Sequence, residues 1–476
     1  MLWGFSMSDS SLQVQNHGLW SSLREAVMGS HQDFTEGGIE RAIVLLAVPM
    51  VLEMCMESLF GVVDVFWVSH LGADAVATVG LTETALVVIF VIALGLSMGA
   101  TALVARRMGE KDDEAAGLVA VQAIVVGLVV SAAIAIFGFF FAPNLLHIMG
   151  ASNNVVRMGS GYTRMIASGS TTIFLLFLIN AVFRGAGDAA IAMRVLWIAN
   201  LVNICLNPCL IFGLGPFPRM GVTGSAVGTT IGRGVGVLLQ LWVLTSGRGR
   251  LSLHASQLRL DFAVMWRLIR LSLNAIFQYM VQMASWIGVV RIIASFGSAA
   301  TAAYTIAFKV IIFAILPSWG MSNAAATLVG QNLGAGKPAR AESSVWRTGL
   351  YNMLFLGSIG LLFLVFAPQI VGLFTTDPVV APLAVSGLRL FSCGNISYSY
   401  GMVITAAFNG AGDTATPTIL NLIAFWVCQI PLAWALAFHT GLGPNGVYVS
   451  VLVSDSLLAA LGILLFRRGT WKQVKV

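Results

Sequence analysis

Apolar residues in this chain come in long blocks, and short polar or glycine-containing connectors separate the blocks from about residue 40 to near the end. A hydrocarbon core of about 30 Å needs about 20 apolar residues in a helix. The pattern therefore predicts twelve membrane-spanning helices, at 40–68, 75–104, 117–141, 155–183, 188–213, 222–245, 264–295, 300–330, 343–367, 380–409, 415–438 and 445–467. A transmembrane barrel would show short segments of alternating polarity instead. The expected class is an all-α integral membrane protein.

The blocks repeat. At a shift of 225 residues, the separation of Gly72 from Gly297, landmarks superpose without a gap. Gly95 falls on Gly320, Ser97 on Ser322, Gly109 on Gly334, Ala142-Pro143 on Ala367-Pro368, and Gly221-Val222 on Gly446-Val447. The four-residue block Gly185-Ala-Gly-Asp188 falls on Gly410-Ala-Gly-Asp413. Two six-helix bundles of one orientation follow, related by a pseudo-two-fold axis along the membrane normal. Secondary transporters use this plan and place substrate between the halves. The expected divisions are a cytoplasmic tail (1–37), an N-lobe (38–246), a cytoplasmic linker (247–263), a C-lobe (264–467) and a cytoplasmic tail (468–476).

Composition agrees. The chain is 58% hydrophobic and 10% charged, against about 25% charged in soluble domains. The net charge of +6 is unevenly placed. Connectors such as Arg106 to Lys111, Lys337 to Arg340, and Gly247 to Arg267 are basic, whereas Arg157, Arg164, Arg219 and Arg389 are the basic residues of the opposite side. The positive-inside rule then puts both termini in the cytoplasm, in a multi-pass protein of the inner (plasma) membrane. The basic balance reports orientation, not nucleic-acid binding. No Gly-rich phosphate loop with its Lys is present, and neither His nor Cys clusters at metal-ligand spacing, so neither an enzyme nor a cofactor is expected. Asp188 and Asp413 are placed to cap the helices after their turns. Residues 1–36 do not read as a cleaved signal peptide. Within them, Leu19 to Met28 suits either a short amphipathic helix on the cytoplasmic surface or a disordered tail.

Chemistry concentrates in the first span. Glu53, Glu57 and Asp64 lie at i, i+4 and i+11, within roughly 40° of one another on a helix, and each carboxylate in lipid costs on the order of 2.5–3.5 kcal/mol. Such a stripe must meet a polar cavity or be protonated. Its counterparts in the second half are Gln278, Gln282 and Val289, so the acidity belongs to the N-lobe. Asn200, Asn203 and Asn207 on span five suit either helix-to-helix hydrogen bonds or the same polar site. Glu83 on span two and Lys309 on span eight occupy nearly equivalent places and form a possible interlobe ion pair; the alternative is two residues lining a wet cavity. Arg291 and Asp455 are further intramembrane charges without an assigned role. Met54, Met56, Phe60, Phe277, Met280 and Met283 are either adaptable cavity walls or lipid-facing and packing residues.

These features resemble the multidrug and toxic compound extrusion (MATE) transporters, most closely the DinF-like branch, from about Gly38 to Arg468. The marks are Pro49, Gly61-Val-Val-Asp64, His70-Leu-Gly72, Arg184-Gly-Ala-Gly-Asp188, Asn203 to Pro208, and Gly330-Gln-Asn-Leu-Gly-Ala-Gly-Lys337. The resemblance implies antiport, in which an entering cation expels amphipathic, mostly cationic organic compounds. It assigns cation coupling to Asp64, Tyr162, Asn203, Asn207 and Ser225, and a helix bend to Pro49. Substrate contacts fall on Asn180, and with the acidic stripe on Glu53, Glu57, Met54 and Glu83. The chain departs from that branch at Asn207, where an aspartate is usual. It departs from the NorM-like branch, which uses C-lobe acids, at Gln282 and Tyr398. With one strong acid, H⁺ is favoured over Na⁺, because a proton needs a single carboxylate and Na⁺ needs several oxygen ligands; Glu57 keeps Na⁺ open, at a site of Asp64, Asn203 and Asn207. The expected partners are small organic cations and the bilayer, with the chain acting as a monomer. The alternative from another class is a lipid-linked headgroup flippase, for which Arg291 and Lys309 speak.

Overall fold

The computed structural model describes residues 19–29 and 32–474, and these are helical nearly throughout. The helices are α1 (Leu19–Met28), α2 (Ile39–Ser69), α3 (Ala73–Gly109), α4 (Asp113–Ile148), α5 (Asn153–Ser168), α6 (Ser170–Ala186), α7 (Ala189–Phe212), α8 (Val222–Ser246), α9 (Phe262–Ala294), α10 (Ser298–Gly334), α11 (Pro338–Gly372), α12 (Val380–Gly410), α13 (Ala415–Asn421), α14 (Ile430–His439) and α15 (Pro444–Arg468). With α5–α6 and α13–α14 each taken as one crossing, they make the twelve expected spans. By length and composition, eleven of these crossings among the described residues suit a membrane. The twelfth, α12, carries Arg389 and several Ser and Asn, and packs between α10, α11 and α15.

Two spans are interrupted, and the sequence reading had them continuous. At Gly169 the chain passes from α5 to α6, and a Cβ there would lie 2.6 Å from the Thr230 hydroxyl of α8. The missing side chain lets the two helices touch. Between α13 and α14, residues Leu422–Gln429 form a π-helical stretch just before Pro431. Pro431 has no N–H to donate, and neighbouring side chains occupy the loosened stretch. Ser285 Oγ donates to the Phe425 carbonyl at 3.2 Å, and Trp426 Nε1 donates to the Val281 carbonyl at 3.0 Å.

The halves are related by contacts that exchange them. Gly95 of α3 packs on Ile276 of α9, and its equivalent Gly320 of α10 packs on Met50 and Val51 of α2. Ile276 and Val51 are themselves 225 residues apart. Likewise Gly109 sits on the Gln331 carbonyl and Gly334 on the Arg106 carbonyl. Such self-complementary pairs are what a two-fold axis produces. Each pair brings backbone so close that a Cβ would clash. Backbone conformation repeats too: Gly72 and Gly297 have φ of 98° and 97°, and Lys111 (φ 60°) stands where the second half has Gly336 (φ 70°).

These crossings all lie toward one end, the end that carries Arg106, Arg107, Lys111, Lys337 and Arg340. At the other end the halves part, and Glu83 and Lys309 are exposed. The molecule is closed at its basic end and open at the opposite one. At the basic end α1 packs against the start of α2, with Ala26 buried and Glu25 accepting from Arg41 at 2.7 Å.

Asp413 accepts from the Thr416 N–H at 3.1 Å, as a cap should. Asp188 does not cap the following helix through its side chain. Its Oδ2 accepts from the backbone N–H of Arg250 at 2.5 Å, so it anchors the central connection instead.

Candidate functional site

Helices α2 and α7 run parallel, and their polar positions match at heptad spacing. Glu57 faces Asn200, and seven residues on Asp64 faces Asn207; two turns of a helix return side chains to nearly the same face. The Asn200 Nδ2 to Glu57 Oε2 distance is 3.4 Å, and Asn207 Nδ2 donates to Asp64 Oδ1 at 2.6 Å. The third acid, Glu53, turns to α6, where Asn180 Nδ2 donates at 3.2 Å and Arg184 Nη1 at 3.3 Å. Each acid of the stripe therefore meets an amide.

Asp64 is buried, and its Oδ1 accepts a second hydrogen bond from Ser225 Oγ of α8 at 2.8 Å. Tyr162 of α5 is buried in the same packing cluster, with Val68, Val79, Val222 and Ala226. Asn203 belongs to the shell around this group and not to its centre, since its Nδ2 donates to Thr229 Oγ1 at 2.8 Å. The side-chain carbonyls of Asn203 and Asn207 are buried, with no hydrogen-bond partner among the described residues.

Below this group, toward the closed end, a cavity of about 260 Å³ lies between the halves. Met54, Glu57, Phe90, Met98 and Phe177 line it from one half, and Tyr279, Trp319 and Asn409 from the other. Its walls are soft or aromatic, with Glu57 and the edge of Arg184 supplying charge. A smaller polar recess of about 50 Å³ adjoins it, holding Gln278, Gln282, Tyr398 and Asn421.

Residues 49–209 and 271–435 match the family model MatE, which takes in more than half the chain as two segments, one per half. The chain belongs to the MatE family. Known members are close in length. The "Probable multidrug resistance protein YoeA" of Bacillus subtilis is 26% identical over 452 residues, which is 94% of this chain and 97% of that protein. The "Probable multidrug resistance protein NorM" of Thermotoga maritima is 25% identical over 441 residues, 91% of this chain and 94% of that protein. A solved structure described as the outward-facing conformation of a multidrug resistance MATE family transporter of the MOP superfamily superposes with a TM-score of 0.86. It is 26% identical and covers 93% of this chain and 98% of its own. MatE proteins are transporters and not enzymes, in keeping with the two-lobe helical architecture.

Within this MatE transporter the sequence-derived residues fall into groups. Asp64, Asn207 and Ser225 are in direct contact, with Tyr162 and Asn203 packed around them. Met54 and Glu57 line the interlobe cavity. Glu53 and Asn180 do not line it; they are 2% and 3% exposed, and Asn180 Oδ1 in turn accepts from Gln240 at 2.6 Å. Pro49 lies within an unbroken α2, one turn before Glu53.

Glu83 and Lys309 form no ion pair among the described residues in this open state, and both are exposed at the open end. The cation that acts more strongly on Glu83 belongs to its own half: Arg233 of α8, which also acts on Asp64 and Tyr162. Arg233 is not among the sequence-derived site residues. The spacing Ser225, Thr229, Arg233 was the signal that could have found it. Arg291 lies three residues from the end of α9, in a lateral groove with Trp434 and Phe438. Asp455 of α15 sits near Tyr398 and Tyr304 in the second half.

Proposed function

We propose that this MatE transporter is a secondary active multidrug efflux antiporter of the plasma membrane, in which a proton entering at Asp64 expels an amphipathic, mostly cationic compound. The observation that carries this reading is the buried Asp64 carboxylate, solvated among the described residues by two neutral donors, Asn207 Nδ2 and Ser225 Oγ. Protonation removes the charge that those donors solvate. The Asp64 end of α2 is then free to leave its partners, with Pro49 marking where the helix has no N–H to hold the Leu45 carbonyl. That movement narrows the first-half side of the cleft and displaces the compound. In the opposite state the proton leaves, and the restored negative charge of Glu57 and Asp64 attracts the next cation. The soft walls of the cavity, Met54, Met98 and Phe177 among them, accept ligands of varied shape. By charge placement the basic end is cytoplasmic, so the described state is open to the outside.

A second reading, Na⁺ coupling, has one observation in its favour. The buried carbonyl oxygens of Asn203 and Asn207 are hard ligands without a donor. Transport of a cationic dye by proteoliposomes separates the two. An imposed pH gradient should drive wild-type transport and a Na⁺ gradient at equal pH should not, and Asp64→Asn should lose at least about tenfold in rate, the loss of about 1.4 kcal/mol or more of coupling. Unimpaired gradient-driven transport by Asp64→Asn would sink the central claim. A wild type that ignores both gradients would favour flipping of a lipid-linked headgroup.

A further inference from the structure

We propose that Arg233 is a tethered counter-cation of the Asp64 site and that it makes the site selective for protons over alkali cations. The inference rests on the reading of Asp64 as the proton-coupling acid.

Helix α8 presents Ser225, Thr229 and Arg233 at steps of four, along one face. Ser225 holds Asp64, and Thr229 holds Asn203. Arg233 occupies the next turn of that stripe, and its guanidinium lies 6.0 Å from the ring centroid of Phe60, one turn before Asp64 on α2. The two helices thus match position for position: hydroxyl to carboxylate, then cation to ring. Depth agrees as well. Counted from their open-end termini, Arg233, Glu83 and Lys309 are all ten or eleven residues in, about 15 Å at 1.5 Å per residue. Arg233 is half-buried, and no carboxylate forms an ion pair with it among the described residues. Its charge is therefore shared by the site and not spent on one partner.

The groups facing Asp64 are few. Among the described residues, helix α3 contributes Glu83, α5 contributes Tyr162 and α8 contributes Arg233, while Lys309 of α10 acts on Glu83 from the other half. Along α2 itself Glu57 lies two turns away, and α7 offers amides. Guanidinium stays protonated in any protein environment. With Arg233 present, the Asp64–Glu83 pair carries one net negative charge instead of two.

That difference separates the ions. A proton forms a covalent O–H bond with a single carboxylate oxygen and needs no further ligand. An alkali cation must be dehydrated, and it depends on both the ligand shell and the net negative charge. Asp64 Oδ1 is already occupied by two donors. As a general scale, a fixed unit charge roughly 8 Å from a bound cation, at an effective dielectric of about 20, would weaken that cation by a factor of about thirty. For an ion that binds weakly in the first place, this removes useful coupling.

The test is dye transport in proteoliposomes driven either by a pH gradient or by a Na⁺ gradient at equal pH, for wild type, Arg233→Gln, Arg233→Lys and Glu83→Gln/Arg233→Gln. The expected result is at least a tenfold rise in Na⁺-driven transport in Arg233→Gln. Arg233→Lys should keep the wild-type preference, as should the double variant, which removes one charge of each sign. A merely structural role predicts a loss and not a new ion response. Should Arg233→Gln fail to fold, Arg233→Met, which keeps a chain of similar length against Phe60, carries the same test. A folded variant whose Na⁺ response is unchanged overturns the proposal and leaves the Asp64 reading standing. A wild type driven equally by Na⁺ overturns both.

Discussion

At the scale of residues, burial decides what each acid of the α2 stripe can do. Glu53 is almost fully buried and ion-paired with Arg184, and Glu57 faces the cavity. The helical wheel puts them side by side and does not reveal this, because it fixes the face of a side chain but not the neighbour beyond it. Arg184 was visible in the sequence only as part of a turn motif. The pair makes a definite stability prediction. Removing one member of a buried ion pair leaves an uncompensated charge, at a cost of about 3–5 kcal/mol, whereas replacing both by apolar residues is often nearly neutral. Glu53→Met should therefore lower thermal stability in detergent by several degrees or more, and Glu53→Met/Arg184→Met should recover most of the loss. Equal destabilisation of single and double variants would show that packing matters here and the charge does not.

At the scale of elements, the spans and the repeat were legible because both follow from solvent. A bilayer demands long apolar helices with every backbone group satisfied, and duplication leaves glycines wherever two backbones must touch. The breaks were not legible. Gly169 is one glycine among many, and its consequence depends on Thr230 of another helix. The π-helical stretch before Pro431 depends on α9, whose Ser285 hydroxyl donates to it and whose Val281 carbonyl accepts from its Trp426. The close glycine crossings carry the next prediction. Gly95 and Gly320 are equivalent and hold α3 on α9 and α10 on α2. Leucine at either position must push the basic ends of the two halves apart, since backbone lies within 2.8 Å of the Cβ at both, behind the branched Ile276 side chain at Gly95 and directly at Gly320. Gly95→Leu and Gly320→Leu should raise labelling, by a charged thiol reagent, of a cysteine placed at Ala102, near the floor of the cavity, when reagent is applied from the basic side. The two should do so to a similar degree. Modification limited to one of the two variants would contradict the symmetric seal. Lys111 offers a quieter check. It holds a left-handed conformation where the second half has Gly336, and that conformation costs roughly 1–2 kcal/mol in a residue with a Cβ. Lys111→Gly should be slightly stabilising in thermal unfolding despite the loss of its 3.5 Å pair with Asp33, which is exposed and screened.

At the scale of the whole molecule, basic connectors that the sequence offered only as a sign of orientation turn out to bind the halves together. Lys337, Arg340 and Arg347 of the second half clasp residues 34–40 of the first. Arg340 donates to the carbonyls of Phe34, Glu36 and Gly37 at 3.2, 2.9 and 2.8 Å, Lys337 donates to the Thr35 carbonyl at 3.0 Å, and Arg347 pairs with Glu40. The C-terminal segment adds a strap, with Arg106 donating to the Val474 carbonyl and Lys472 pairing with Glu342 at 2.6 Å. Burial pushes the Asp33 carboxyl beside this clasp up, but Thr35 and Lys111 outweigh it and hold the group below its ordinary value of 3.8. A lowered folded-state value means that its contribution is complete above that pH and is lost only as pH falls through the lower value. Asp33 beside the clasp therefore keeps its charge across the working range of a cell. An alternating-access cycle has to break these contacts each time the basic end opens. Exposed ion pairs are worth at most about 1 kcal/mol each, but Arg340 satisfies three backbone carbonyls at once, and together the contacts can bias the two states by about 2 kcal/mol, near thirtyfold in population. Arg340→Ala/Arg347→Ala should thus enlarge the fraction open at the basic end. Spin labels on cysteines at Glu110 and Ala335, past the ends of α3 and α10, would report it as a growing long-distance population. High salt should produce a weaker version of the same shift in the wild type, since screening acts on the exposed Arg347–Glu40 pair but little on the carbonyl contacts. An unchanged distance distribution in the double variant would mean that the glycine crossings alone hold the basic end closed.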